Sequence, residues 1–324
     1  MEKIKNILYL SAGSHGSPGL IEELRGFRNF KIVGIDIKDK THAEYLCDTY
    51  YKVPRYNNPT YINIVSDIFK KEKIDICMFG HTKETILLQQ SGLPCLTSSP
   101  YVLEITTDKL KTYMIFPNYV PNYIPIKKGD NIFKKALELG YPDKEICFKP
   151  QVSSGGRGFR IIAEENYNKT NDVFYNKETP KMTLEELNSL DFPPLLLMEK
   201  LKGKNYHVDI LANKGKIVKA VISYRIEEMM GLGYCLETTT KKPKYLDIAK
   251  EIVSKLNLSY NCFFQIMGNK LLEVGGRAAG SVPIGQDLVI GAIELYEGSD
   301  PILSNTQVTF LRYWKPLFVL KENK

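Results

Sequence analysis

Three groups of residues in this 324-residue chain have side chains and spacing suited to chemistry. The first runs from Lys149 to Arg160, Lys-Pro-Gln-Val-Ser-Ser-Gly-Gly-Arg-Gly-Phe-Arg, between the apolar runs Ile146–Phe148 and Phe159–Ile162. Gly155, Gly156 and Gly158 let backbone N–H groups turn inward and approach an anion, Ser153 and Ser154 add hydroxyl donors, and Lys149 and Arg157 add positive charge. A polyphosphate is the simplest ligand for that set, although a plain hairpin turn would use the same glycines. No Gly-Lys-Ser/Thr follows, and the next element reads as a strand, so this is not a P-loop. The second group is Gln265 and Glu273, on two apolar runs joined by Gly268-Asn269. A hairpin there sets the two oxygen-bearing side chains roughly opposite each other, and oxygen is what Mg²⁺ takes as ligand. The third is Arg277 in Gly275-Gly-Arg-Ala-Ala-Gly280, just past the second run.

The elements that must position these residues read as follows. A buried strand at 6–12, a helix around Leu20–Phe27, a strand at Lys31–Ile37, a helix near 59–72, a strand at Ile74–Phe79, a helix near 83–91 and a short strand at Leu93–Leu96 make an open parallel sheet. Gly13-Ser-His-Gly16-Ser-Pro-Gly19 lacks the Gly-x-Gly-x-x-Gly spacing of a dinucleotide fold. His15 and His81 each follow a strand, at the edge where such sheets bind ligands, and no role is assigned to either. A boundary is expected near 98–108. Beyond it come a helix from Asp108-Lys109 to about Phe116, a helix near 130–139, and the strand–loop–strand of the first group. The polar stretch 164–182 reads as a mobile surface insertion, and Thr183-x-x-Glu186 as a capping box. An apolar strand from Leu195 ends on Glu199. Strands at 206–211 and 217–224, a helix at Lys244–Leu256, the Gln265/Glu273 hairpin, a helix near 286–297 and strands at 306–312 and 316–321 complete the chain.

Composition narrows the class. The net charge of +7 comes mostly from lysine, with eight arginines, of which Arg157, Arg160, Arg225 and Arg277 lie in the segments above. A nucleic-acid surface would use more of the arginine fork, so no nucleic-acid partner is expected. No stretch is long and apolar enough to span a bilayer. Six cysteines stand singly with no Cys-x-x-Cys pair, which suits a reducing compartment and a cytoplasmic location.

The order of these parts resembles the ATP-grasp superfamily across nearly the whole chain. The resemblance implies an α/β fold: an open parallel Rossmann-like pre-ATP-grasp sheet over 1–107, an ATP-grasp subdomain with the glycine-rich hairpin over 108–194, and a second ATP-grasp subdomain over 195–324. Asp108-Lys109 resembles the helix start whose lysine reaches the nucleotide phosphates, and Lys149 with Ser153, Ser154, Gly155, Gly156 and Arg157 the phosphate-covering hairpin. Met198-Glu199-Lys200-Leu201 is similar to the hinge, where a Glu199 carboxylate would take the adenine amino proton and the backbone of Lys200 and Leu201 would read the adenine edge. Asn205 stands where many relatives carry a ribose-binding glutamate. Gln265 and Glu273 match the metal-ligand positions for Mg²⁺, which Mn²⁺ also fits.

Two departures bear on the chemistry. Glu273-Val-Gly275-Gly-Arg277 lacks the asparagine of the carbamoyl-phosphate synthase pattern Glu-x-Asn-x-Arg. It looks closer to the L-amino-acid ligases, in which the arginine contacts the reacting carboxyl group. The resemblance therefore implies an ATP-dependent enzyme that makes an acyl phosphate from a small-molecule carboxylate and passes it to an amine-type acceptor, with Lys149, Arg157 and Arg277 in catalytic roles. A carbamoyl-phosphate synthase-like activity on bicarbonate or a small carboxylate, or an ATP-binding module without turnover, are the alternatives. A homodimer is compatible with any of these.

Overall fold

The computed structural model describes residues 3–153, 155–164, 181–229, 232–304 and 306–312. Ser154, residues 165–180 of the polar insertion and the strand expected at 316–321 lie outside the described residues.

Three sheets follow one another along the chain. The first holds β1 (Asn6–Leu10), β2 (Lys31–Asp36), β3 (Thr49–Lys52) and β4 (Ile76–Phe79), all parallel, in the order β3-β2-β1-β4. Ile7, Leu8, Ile32, Val33 and Ile76 are fully buried, as strands covered on both faces require. The covering helices are α1 (Ser17–Phe27), α2 (Ala43–Leu46), α3 (Tyr61–Lys71) and α4 (Thr82–Gln90). In α3, Tyr61, Val65 and Ile68 recur at helical spacing and are the buried residues. The short α2 and β3 had no periodic signal to announce them. The strand expected at Leu93–Leu96 is reduced to one parallel bridge between Cys77 and Cys95.

The boundary expected at 98–108 is a helix, α5 (Pro100–Thr107), followed at once by α6 (Lys109–Ile115). Val102 of α5 and Tyr113 of α6 pack into the core beneath the third sheet, so this segment is structural rather than a linker.

The second sheet holds β5 (Tyr123–Ile126), β6 (Ile146–Pro150), β7 (Arg160–Ile162), β8 (Lys181–Met182) and β9 (Leu195–Glu199), in the order β5-β9-β6-β7-β8. Helices α7 (Ile132–Glu138) and α8 (Leu184–Ser189) bury Ile132, Ala136, Leu184 and Leu187 against Phe148, Leu195 and Leu197. β9 pairs with both β5 and β6, so this sheet ends after Glu199 rather than at 194/195.

The third sheet is antiparallel: β10 (Asn205–Asn213), β11 (Lys216–Met229), β12 (Leu232–Thr238), β13 (Tyr260–Met267), β14 (Lys270–Gly275) and β15 (Thr309–Leu311), in the order β14-β13-β10-β11-β12-β15. α9 (Lys244–Leu256) packs Tyr245, Ala249, Ile252 and Val253 onto the face formed by Val208, Ile210, Phe264 and Ile266. Side chains alternate along a strand, so Asn205, His207 and Asp209 of β10 fall on the opposite face, with Gln265 of β13. α10 (Leu288–Glu297) ties this sheet to the first, placing Leu288, Val289, Ala292 and Ile293 in one core with Leu20, Ile21 and Leu24 of α1. Among the described residues, no helix is long and apolar enough to cross a membrane.

Candidate active site

The site lies where the β6–β7 hairpin faces the polar side of the third sheet. β6 and β7 pair antiparallel, with Cys147 opposite Ile161 and Phe148 opposite Arg160. Gly155, Gly156 and Gly158 in the loop between them have φ values of 64°, 72° and 73°. A residue with a Cβ would cost about 1–2 kcal/mol at each such position, which is why glycines recur here. Arg157 is exposed on this loop.

Lys109 and Lys149 are both buried behind it. Asp108 caps α6 by accepting from Leu110 N at 2.9 Å, which makes Lys109 the first residue of the helix. Lys109 Nζ donates to Ser153 O at 2.7 Å and to Ser153 Oγ at 3.2 Å. Lys149 Nζ donates to the Leu272 carbonyl at 2.8 Å and to Tyr113 OH at 2.9 Å. Burial first, and the neighbouring Lys109 charge second, hold Lys149 down to about 7, with Glu273 partly opposing them. Lys109 is lowered as well, mainly by burial.

On the third sheet Gln265 and Glu273 are direct register partners across β13 and β14. Both side chains therefore leave the sheet on one face, their Cβ atoms about 5 Å apart. This supplies two oxygens to a hard cation and leaves its other positions to phosphates and water. Asn205 begins β10, and its Oδ1 is buried with no hydrogen-bond partner. An orphaned acceptor at a cavity wall fits a ribose hydroxyl, and so the residues present suit a metal-bound nucleotide. Gly275 explains the missing asparagine: a Cβ there would lie 2.1 Å from the Phe263 ring, so no ligand side chain fits at that position.

Two cavities meet at this pair. One, of about 490 Å³, is lined by apolar residues that include Ile161, Met198, Met267 and Leu272 and by polar residues that include Lys149, Lys200 and Asn205. The other, of about 690 Å³, extends toward the first sheet past His81, Thr82 and Arg277. Lys109, Arg157, Arg225, Gln265 and Glu273 line both. Arg277 donates from Nε to Thr82 Oγ1 at 2.9 Å and from Nη1 to the Ala278 carbonyl at 2.8 Å, which fixes its guanidinium against the start of α4.

The hinge departs from the sequence expectation at one residue. The Glu199 carboxylate accepts from Asn122 N at 2.9 Å and Asn122 Nδ2 at 3.3 Å, and Glu199 does not line the nucleotide-sized cavity. Its strand position explains this: along β9 the side chains alternate, and Met198 is the one turned into the cavity. Lys200 and Leu201 do line it. The Lys200 N–H is engaged by the Glu145 carbonyl at 2.9 Å, so adenine recognition here would fall to the Lys200 carbonyl and the Leu201 N–H.

Several residues of the site were not singled out from sequence. His207 sits opposite Gln265, and Ser281 Oγ lies 3.3 Å from its Nδ1 and donates to Asp209 Oδ1 at 3.1 Å. Burial, then the Arg225 charge, lowers His207 to about 3. Burial raises Asp209 to about 7, against the Ser281 hydrogen bond and Arg225. The period-two pattern Asn205, His207, Asp209 against Tyr206, Val208, Ile210 was the available signal. Thr82 and Lys83 reach the second cavity from the start of α4, beside the N-cap His81, which the sequence already places at the sheet's ligand-binding edge and whose Nδ1 forms the capping box with Glu84.

Comparison with known proteins agrees with this fold. Residues 191–295 match the family described as ATP-grasp in the biosynthetic pathway with Ter operon, and residues 7–92 match the PylC-like N-terminal domain. No curated protein matches the sequence. Among solved structures, N5-carboxyaminoimidazole synthetase from Staphylococcus aureus, complexed with ADP, superposes with a TM-score of 0.69 at 13% identity, covering 95% of this chain and 80% of that one. The biotin carboxylase domain dimer of Hydrogenobacter thermophilus 2-oxoglutarate carboxylase, with MgADP and bicarbonate, gives 0.67 at 16% identity, covering 94% and 72%. The L-amino acid ligase from Bacillus licheniformis gives 0.62 at 13% identity, covering 91% and 75%. The fold is the ATP-grasp fold preceded by a parallel α/β domain. The matched segments fall on the first sheet and on the third-sheet half of the site.

Proposed function

We propose that this chain is an ATP-dependent ligase that activates a carboxylate as an acyl phosphate, releasing ADP, and passes the acyl group to an amine or similar nucleophile. One observation carries the reading: a nucleotide-sized cavity and a second cavity meet at Gln265 and Glu273, with Arg277 in the second alone. Asn205 of the first cavity would take the ribose, and Lys109 and Lys149 the phosphates. Gln265 and Glu273 would hold Mg²⁺, which would neutralise charge on the β- and γ-phosphates.

A carboxylate oxygen held by Arg277 attacks the γ-phosphorus, and the bond to the β-phosphate oxygen breaks to release ADP. The amine nitrogen then attacks the acyl carbon, the carbon–oxygen bond to phosphate breaks, and the amine proton leaves with phosphate or water. Lys109, Lys149 and Arg157 would offset charge as it moves to the β–γ bridging oxygen. The glycine hairpin lies over both cavities and would limit hydrolysis of the acyl phosphate. The neighbours bound to ADP and MgADP support nucleotide binding here. The test is an ADP-release screen over amino acids and small carboxylates, with and without amine acceptors. ADP formation that requires an acid supports the reading, and ADP formation indifferent to every acid and acceptor argues for a binding module.

A further inference from the structure

We infer that the acid activated here carries a second anionic group, and that Lys83, beside Arg277, reads it. The inference rests on the ligase reading above and names its substrate class: a dicarboxylate or a phosphorylated carboxylate, which share the chemistry of a small dianion.

The charge distribution of the second cavity carries the argument. Among the described residues, its ionisable acidic and strongly basic lining residues are Lys83, Lys109, Arg157, Arg225 and Arg277 against Glu273. Lys109, Arg157, Arg225 and Glu273 also line the nucleotide cavity, where a triphosphate and its cation would meet them. Lys83 and Arg277 line only the second cavity. Arg277 is bonded to Thr82, the chain neighbour of Lys83, so both cations reach the cavity beside the start of α4. His81 reports the same convergence: after burial, the charges that lower it are those of Arg277, Lys83 and Arg157.

Glu273 is the carboxylate whose charge acts on Arg277, and Glu84, on the same helix as Lys83, is engaged elsewhere. Glu84 is buried beneath the start of α4, where it accepts from Tyr61 OH, Ser11 Oγ and the His81 N–H, and it does not line the cavity. The backbone at the start of α4 is already capped by His81. The His81 ring in turn stacks on Tyr56, with centroids 5.4 Å apart and planes 8° from parallel, forming a flat wall beside the cations. One carboxylate turned toward Glu273 and the γ-phosphate would occupy Arg277. A second cation that lines this cavity alone, with Glu273 the one acid among its described lining residues, suits a second anionic group on the same molecule.

The experiment compares matched pairs that differ by one anionic group: succinate with butyrate, and 3-phosphoglycerate with glycerate. Binding to protein loaded with Mg²⁺ and a non-hydrolysable ATP analogue is measured by calorimetry, for wild type and for Lys83→Met, an exposed position where loss of folding is not expected. The dianion of at least one pair should bind about tenfold tighter than its partner, and Lys83→Met should shrink that ratio to within about twofold while nucleotide affinity stays constant. The pair that responds tells a carboxylate from a phosphate as the second group. Equal affinity within both pairs overturns the inference, as does a ratio unchanged in Lys83→Met. Turnover is not required, so the result stands whether or not any probe is a substrate. The ligase reading fails by a different result, ADP release that no acid stimulates.

Discussion

The buried Lys149 makes the nucleotide-free protein's stability depend on pH in a direction opposite to its ATP affinity. Its pKa falls from the usual 10.5 to about 7 on folding. Between those values the unfolded chain holds a proton that the folded chain has lost, so this group's contribution makes stability rise with pH across that window and is flat below it. The magnitude follows from the displaced pKa. Relative to Lys149→Met, the wild type should gain about 2 kcal/mol between roughly pH 6.5 and roughly pH 8.5. Phosphate charge beside the ammonium would restore the proton, so MgATP affinity should fall as pH rises above about 7, with up to about one proton taken up on binding. Urea denaturation of both proteins across this range tests the first statement. Calorimetry in buffers of different ionisation enthalpy tests the second. A stability difference flat across the range, with no proton uptake in the wild type, would refute the assignment of a neutralised lysine behind the hairpin.

The other predictions concern single residues. Glu273→Gln keeps the side-chain shape but removes the charge opposite Gln265, so acid-dependent ADP formation should fall on the order of a hundredfold. Arg277→Lys loses the fork held by Thr82 and Ala278, and should raise the apparent KM for the acid with little change in that for ATP; steady-state kinetics in both substrates separates the two variants. Asn205→Ala removes the unpartnered Oδ1, and should weaken ATP by about 1–1.5 kcal/mol while abolishing the preference for ATP over a deoxyribose analogue. Glu199→Ala should lower stability by about 1–3 kcal/mol through the lost Asn122 contacts while preserving the preference for adenine over guanine; loss of that preference would return the carboxylate to the base.

Much of this site is legible in the amino-acid sequence because local geometry encodes it. The Gly-Asn turn announces the hairpin that carries Gln265 and Glu273, but a regular two-residue turn would set Gln265 opposite Leu272; the β-bulge between Gln265 and Ile266 shifts the register by one residue and brings Glu273 opposite Gln265. Three glycines in four residues between short apolar runs likewise specify a hairpin with left-handed backbone. What is not legible depends on contacts distant in sequence. Pro100–Thr107 passes for a boundary until the core beneath the third sheet claims Val102. Glu199 reads as a cavity residue until pairing with β5 brings Asn122 to its carboxylate. β12 offers a mixed run of Leu, Gly, Tyr and Cys with no clean alternation, and pairing with β11 and β15 makes it a strand. Arg277 is identifiable by its place after Glu273. Its anchor Thr82 lies 195 residues away in another sheet's helix, and no local pattern predicts that pairing.

The central claim, that a substrate carboxylate takes the γ-phosphate of ATP, is tested most directly by isotope transfer. An acid found by the ADP-release screen is labelled with ¹⁸O in its carboxylate and turned over with MgATP and acceptor, and the products are read by phosphorus NMR. Attack by the carboxylate at the γ-phosphorus predicts ADP together with inorganic phosphate that carries one ¹⁸O from the acid. AMP and pyrophosphate, or ADP with unlabelled phosphate, would contradict it.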